Sequence, residues 1–238
     1  MAVVNTNVNA SVAQNALVRN ERSMNSAMEK LSTGQRINSA SDDAAGLAIA
    51  SRMTSQIRGL EAGIRNANDA ISMISTADGA LIEVTNMLQR MRELALQASN
   101  GTTTSADRNY LNSEYVNLLA EIERIAQNTQ WNGRDILDGT ANGTSGTVKF
   151  QVGANGGQTI AVNFGNATNG AVASTSGLIQ DVNSAAATIT AGTTASALTK
   201  GTSAVTAIDT AITNVNTQRA TFGAAMNQLT YAVDNLSN

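Results

Sequence analysis

The feature that most restricts this chain is an apolar pattern stepping alternately by three and four residues over very long stretches. Ile57, Leu60, Ile64, Ala67, Ile71 and Ile74 follow it, and after a shortened step to Ala77 it resumes through Leu81, Val84, Leu88, Met91 and Ala95. A 3/4 alternation averages 3.5 residues, the period at which one helix keeps a narrow stripe facing another. Ser41, Asp42 and Asp43 read as the start, with a hydroxyl to cap free amides and carboxylates at the positive helix end. Asn100-Gly101 reads as the stop. From 42 to 99 the rod would measure roughly 87 Å. An ordinary globular domain has no use for such a helix.

Two further segments repeat the pattern. Leu111, Tyr115, Leu118, Ile122 and Ile125 follow Ser105-Ala106-Asp107, and the short link 100–104 makes this helix an antiparallel neighbour of the first. Near the end, Val205, Ile208, Ile212, Val215, Arg219, Phe222, Met226, Leu229, Val233 and Leu236 continue the alternation over about 203–236, with one Arg on the seam. Residues 3–33 place Val8, Val12, Ala16, Met24, Met28 and Leu31 loosely on one stripe, but Asn and Ser fill much of the rest. These are mediocre helix formers, so this helix is expected to need a partner.

Between 141 and 202 the period changes to two. Val148, Phe150 and Val152 alternate with Thr147, Lys149 and Gln151, and Ile160, Val162 and Phe164 follow after Asn155-Gly156-Gly157. That predicts a β-hairpin. Trp131-Asn132-Gly133 reads as a turn with an aromatic plug, and 165–202 as an exposed loop with one short element around Leu178–Ala187. The expected fold is mainly α: a long antiparallel helical coiled-coil bundle with a small β-hairpin region.

What the chain lacks narrows its function. In 238 residues there is no His, Cys or Pro. Zinc sites, thiolate chemistry and His-assisted nucleophiles are thereby excluded, and with them a His-Glu-x-x-His protease. None of the three lysines stands near a Gly-rich nucleophile turn, so Ser–Lys catalysis finds no support. Asp42-Asp43 fits a helix start better than an acid pair, because adjacent residues do not share a helix face. No enzyme and no cofactor is expected. A net charge of -3 gives no nucleic-acid footprint. No run of 18 apolar residues exists to span a membrane, and no secretory signal peptide is readable at Met1–Gln14.

Three blocks carry a resemblance: Leu31-Ser-Thr-Gly-Gln-Arg-Ile-Asn-Ser-Ala-Ser-Asp-Asp-Ala-Ala-Gly-Leu-Ala-Ile-Ala50, Gln89-Arg-Met-Arg-Glu-Leu-Ala-Leu-Gln97, and Glu121-Ile-Glu-Arg-Ile-Ala-Gln-Asn-Thr-Gln-Trp-Asn-Gly133. Together they resemble bacterial flagellins, densely over 1–140 and by pattern over 203–238. The resemblance implies a non-enzymatic subunit that polymerises with itself into the flagellar filament used for motility. It implies type III export without a cleaved signal, work with the export apparatus and cap, and an extracellular location. Residues 1–41 would form a conditionally helical filament-core segment, 42–140 with 203–238 the helical rod, and 141–202 the hairpin and variable loop. The alternative is a hook–filament junction protein with similar helical ends. Flagellins end in a further amphipathic stretch, whereas the seam here runs to Asn238 without a cap, so the chain reads as cut short. On that expectation residues 1–40 lack their partner, and the chain as given is not expected to polymerise.

The seam residues expected to drive association are Ile57, Leu60, Ile64, Ile71, Ile74, Leu81, Leu88, Ile212, Phe222 and Leu229. A second stripe, Met87, Arg90, Leu94 and Gln97, lies about 100° around the helix from the seam. From the residues alone it reads as a solvated flank with one stray Leu. The resemblance implies a contact instead: flagellins sensed by the vertebrate flagellin-recognising Toll-like receptor carry residues matching Arg90, Leu94 and Glu114, with Gln89 beside them. In the filament the same face, Gln97 included, is expected to meet neighbouring subunits. Leu118 departs from the basic residue that many of them carry.

Overall fold

The computed structural model describes residues 7–143, 146–168, 178, 179, 182 and 194–237. Among them are four helices: α1 (Val8–Thr33), α2 (Ala44–Ala98), α3 (Ser105–Asn128) and α4 (Thr194–Ser237). Two small antiparallel hairpins pair β1 (Gln130–Trp131) with β2 (Arg134–Asp135), and β3 (Thr147–Gln151) with β4 (Thr159–Asn163). The mainly α architecture with a small β region is the one that the periodicities require. No described helix is long and apolar enough to cross a membrane. The chain forms two compact units, Met1–Arg58 and Gly59–Asn238.

In the first unit, Asn7 caps α1 by accepting from the Ala10 amide, and Gly34 ends it in the left-handed region at φ 68°. No residue of α1 is buried. The start of α2 differs from the expectation in detail. Asp43, not Ser41, supplies the cap, its carboxylate accepting from the Gly46 amide at 2.8 Å. Asp42 turns back instead and accepts from the Asn38 and Ser39 amides and the Ser39 hydroxyl, closing the connection 34–43.

In the second unit, α2 and α4 run antiparallel. Ser75 meets Met226, Asp78 meets Arg219, Arg92 meets Asp209 and Ser99 lies against Gly201. The Arg on the α4 seam is thus satisfied by Asp78 at 2.8 Å, both side chains about one-third exposed or less. α3 begins with a capping box in which Thr104 and Asp107 each accept from the other's backbone amide. It returns along α2, where Glu114 reaches Arg90.

The buried line of α2 runs Gly63, Ala67, Ala70, Ile74, Ala77, Leu81, Val84, Leu88, Met91, Ala95 and Ala98, an unbroken 4/3 alternation. The apparent short step at Ala77 therefore disappears: the line passes through Gly63 and Ala70, leaving Ile64 and Ile71 half-buried on its flank. The cause is the larger hairpin. A Cβ on Gly63 would lie 2.6 Å from the Val152 carbonyl oxygen, and one on Gly59 2.9 Å from the Ala154 Cβ. Only glycine permits that approach.

Along β3–β4 the alternation holds. Val148, Phe150, Val152 and Ile160 pack against the core, Val162 and Phe164 lie within it, and Phe164 meets Phe222 at 5.4 Å between ring centroids. Side-chain amides close parts of both outer edges. Asn66 on α2 donates to the Gln151 carbonyl, and Gln218 on α4 donates to the Asn163 carbonyl. The Trp131 turn is a two-residue connection with positive φ at Asn132 (51°) and Gly133 (74°), as a type I′ hairpin requires. α4 starts at Thr194, earlier than the seam near 203 suggested, because Thr, Ser and Gly at 194–203 read as loop. The element expected around Leu178–Ala187 falls outside the described residues except at 178, 179 and 182.

Candidate interaction surface

Arg90 projects from α2 at the point where α3 returns beside it. Its Nε and Nη2 both reach Glu114 Oε1, at 2.9 and 2.8 Å, and its Nη1 donates to Glu93 Oε2 at 2.9 Å. Glu93 stands one turn along α2, so the two carboxylates clamp the guanidinium from two helices. Hydrogen bonds from Arg90 to Glu93 and then Glu114, with the Glu114 charge behind them, raise its pKa above the ordinary arginine value. The group remains half-exposed, so the clamp orients the side chain more than it stabilises the fold.

Gln89 and Gln97 are exposed, Met87 is half-buried, and Leu94 is only 2% exposed and belongs to the core. Leu94 is therefore no stray apolar group on a solvated flank. In this stretch the buried surface of α2 is wider than one line, with Leu94 buried beside Met91, Ala95 and Ala98, which a single-seam reading misses. The signal was present in the sequence: Leu94, Ala95 and Ala98 together make a stripe too wide for one seam. The exposed residues of this stretch are Gln89, Arg90 and Gln97 on α2 and Glu114 on α3. Leu118 sits half-buried against the core.

The seam residues divide by unit. Ile74, Leu81, Leu88, Phe222 and Leu229 are fully buried, while Ile71 and Ile212 are half-buried against the same core. Leu60 and Ile64 are half-buried, and Ile57, in the first unit, is 53% exposed. Leu47, Ile49 and Met53 precede it, all exposed. On α1, Val8, Val12, Leu17, Met24, Met28 and Leu31 are exposed as well, Leu31 at 85%.

Comparison with known proteins places this geometry. Residues 4–142 match the family model of the bacterial flagellin N-terminal helical region, and 205–238 match that of the C-terminal helical region. A flagellin from Halalkalibacterium halodurans is 43% identical over 236 residues, covering 99% of this chain and 80% of that protein. Flagellin A of Vibrio cholerae is 51% identical over 157 residues, 66% of this chain, and the match spans only 40% of that relative's length. The crystal structure of Bacillus cereus flagellin superposes with a TM-score of 0.55 at 34% identity, covering 72% of this chain and 88% of that one. A structure described as a flagellar hook-associated protein from Vibrio parahaemolyticus gives 0.64 at 20% identity over 84% of this chain and 94% of its own, a likeness of fold alone.

Proposed function

The chain belongs to the bacterial flagellin family, a family of structural proteins and not of enzymes, and from that premise we propose that it self-assembles into the extracellular flagellar filament that drives motility. The observation that carries this reading is the first unit. A helix of 26 residues with no buried side chain and a row of exposed Val, Leu and Met gains nothing from packing in its own unit. Most helical stability in proteins comes from a buried apolar face, which α1 does not have here. Other copies of the chain provide that cover in a polymer.

On this reading residues 1–41 form the filament core, 42–140 with 203–238 the rod, and 141–202 the outward hairpin and loop. Export through the flagellar type III apparatus and growth beneath a cap follow from the same family. The clamped Arg90, with Gln89, Gln97 and Glu114, forms a contact for neighbouring subunits and for the host flagellin-sensing Toll-like receptor. Leu94 supports that platform from beneath. The alternative, a hook–filament junction protein with similar helical ends, is disfavoured by 43% identity to a flagellin over nearly the whole chain.

Negative-stain microscopy of the full-length protein after seeding with filament fragments tests the reading. Long fibres are expected, and a protein that stays monomeric under every seeding condition sinks it. In the same assays Arg90→Ala should weaken receptor activation or assembly by about 2 kcal/mol, the usual cost of losing a central Arg anchor. If neither changes, the clamp is no contact.

A further inference from the structure

The thioethers of this chain divide by unit. Met24, Met28 and Met53 belong to the first unit and are 60%, 64% and 56% exposed. In the second unit Met73 is 6% exposed and Met91 is fully buried, while Met87 and Met226 are half-buried against the core. Met226 is held further by the Ser75 hydroxyl, which donates to its sulfur at 3.8 Å. Met1 lies outside the described residues. The chain has no cysteine, so these sulfurs are the atoms on which a mild oxidant acts first.

Position adds to exposure. Met24 and Met28 stand four residues apart on α1 and share a face with Leu31. Met53 stands between Ile49 and Ile57 at the same spacing on α2. All six side chains are at least half exposed. Each sulfur therefore sits in a row that is worth covering only while it is apolar. Leucine would fill these rows with the same helix propensity and no oxidisable atom.

We propose that Met24, Met28 and Met53 are modification sites for hydrogen peroxide, and that their oxidation to methionine sulfoxide withholds a free subunit from assembly while leaving the second unit folded. In the step, the sulfur lone pair attacks one peroxide oxygen. An S–O bond forms as the O–O bond breaks, and the other oxygen leaves as water; the sulfur is oxidised and the peroxide reduced. The product carries an accepting oxygen where an apolar side chain stood. Covering that oxygen without a donor costs free energy, so the modified rows lose what burial would give them. Met73 and Met91 are out of reach while the second unit stays closed. Methionine sulfoxide reductases reverse the change, which makes it a switch and not only damage. The sites follow from exposure alone; the effect on assembly rests on the filament reading.

Peptide mapping by mass spectrometry, after timed exposure of the full-length monomer to hydrogen peroxide, tests the sites. Met24, Met28 and Met53 should oxidise at least about tenfold faster than Met73 and Met91, which react only when the second unit opens. Stopped once the three have reacted, the product should keep the urea midpoint of its second unit. Its critical concentration for polymerisation should rise at least about tenfold. Methionine sulfoxide reductases should bring it back to within about threefold of the untreated value. A variant carrying Met24→Gln, Met28→Gln and Met53→Gln should mimic the oxidised protein without peroxide. One carrying Met24→Leu, Met28→Leu and Met53→Leu should polymerise alike before and after peroxide; Leu and Gln match Met as helix formers. Met73 or Met91 reacting as fast as Met24, or oxidised protein that polymerises like untreated protein, overturns the proposal. So does a triple leucine variant that peroxide blocks as fully as wild type, or a block that the reductases do not reverse. Untreated wild type that never polymerises overturns the filament reading instead, and the order of oxidation still decides the site assignment.

Discussion

Asp42 decides how α1 is joined to α2. Its carboxylate collects the Ser39 amide, the Asn38 amide and the Ser39 hydroxyl, and Lys30 approaches to 3.8 Å. These contacts, the Ser39 and Asn38 amides foremost, lower its pKa below the ordinary 3.8. The sign follows from the direction. A depressed folded-state pKa contributes stability that is present above the unfolded value of 3.8 and is lost as pH falls through the lower folded value. Carboxyl NMR titration should give Asp42 a midpoint below 3.8, with the Asn38 and Ser39 amides exchanging faster as it protonates. A midpoint at or above 3.8 contradicts the geometry. In the sequence Asp42 and Asp43 looked equivalent; only the folded turn gives one to the connection and the other to the helix cap. Leu94 teaches the same lesson in reverse, since spacing alone placed it on a flank and the wider buried surface of α2 took it in.

At the scale of elements, the glycines of α2 separate packing from propensity. Gly63 lies under the Val152 carbonyl of the larger hairpin, whereas an added Cβ on Gly79 meets nothing within 4 Å. Gly79→Ala should raise stability by about 1 kcal/mol, the propensity difference in a helix interior. Gly63→Ala gains the same propensity but must push the hairpin backbone away, at a cost of about 1–3 kcal/mol for overpacking. It should therefore be neutral to destabilising by about 2 kcal/mol. Urea denaturation of the two variants measures the contrast, and equal stabilisation of both would mean that the hairpin does not press on α2. Helices and hairpins were legible in the sequence because their periods, 3.5 and 2, are local. Their mutual placement was not. Gly63 and Ala70 look like weak points of a helix until the hairpin is in place, and the run 194–203 reads as loop until Gly201 is seen lying against Ser99.

For the whole molecule, the missing residue types remove two sources of slow folding. The second unit joins α2 to α4 through contacts more than a hundred residues apart in the chain, such as Ser75 with Met226 and Arg92 with Asp209. Such distant pairings slow folding, because loop closure must precede any gain from contact. Two other sources of delay are absent. Prolyl isomerisation takes tens to hundreds of seconds, but the chain has no proline; disulfide reshuffling needs cysteine, and it has none. On the proposed function, a subunit that is exported unfolded and adds to a growing polymer would benefit from having neither. After dilution from urea, refolding of the second unit, followed by Trp131 fluorescence, should therefore show no phase on the prolyl time scale and no acceleration by a prolyl isomerase. Residual slowness should depend on protein concentration, as association of copies does. A concentration-independent phase of a minute or more would trace the delay to the long-range closure of α2 on α4, and the absence of proline would then confer no kinetic advantage.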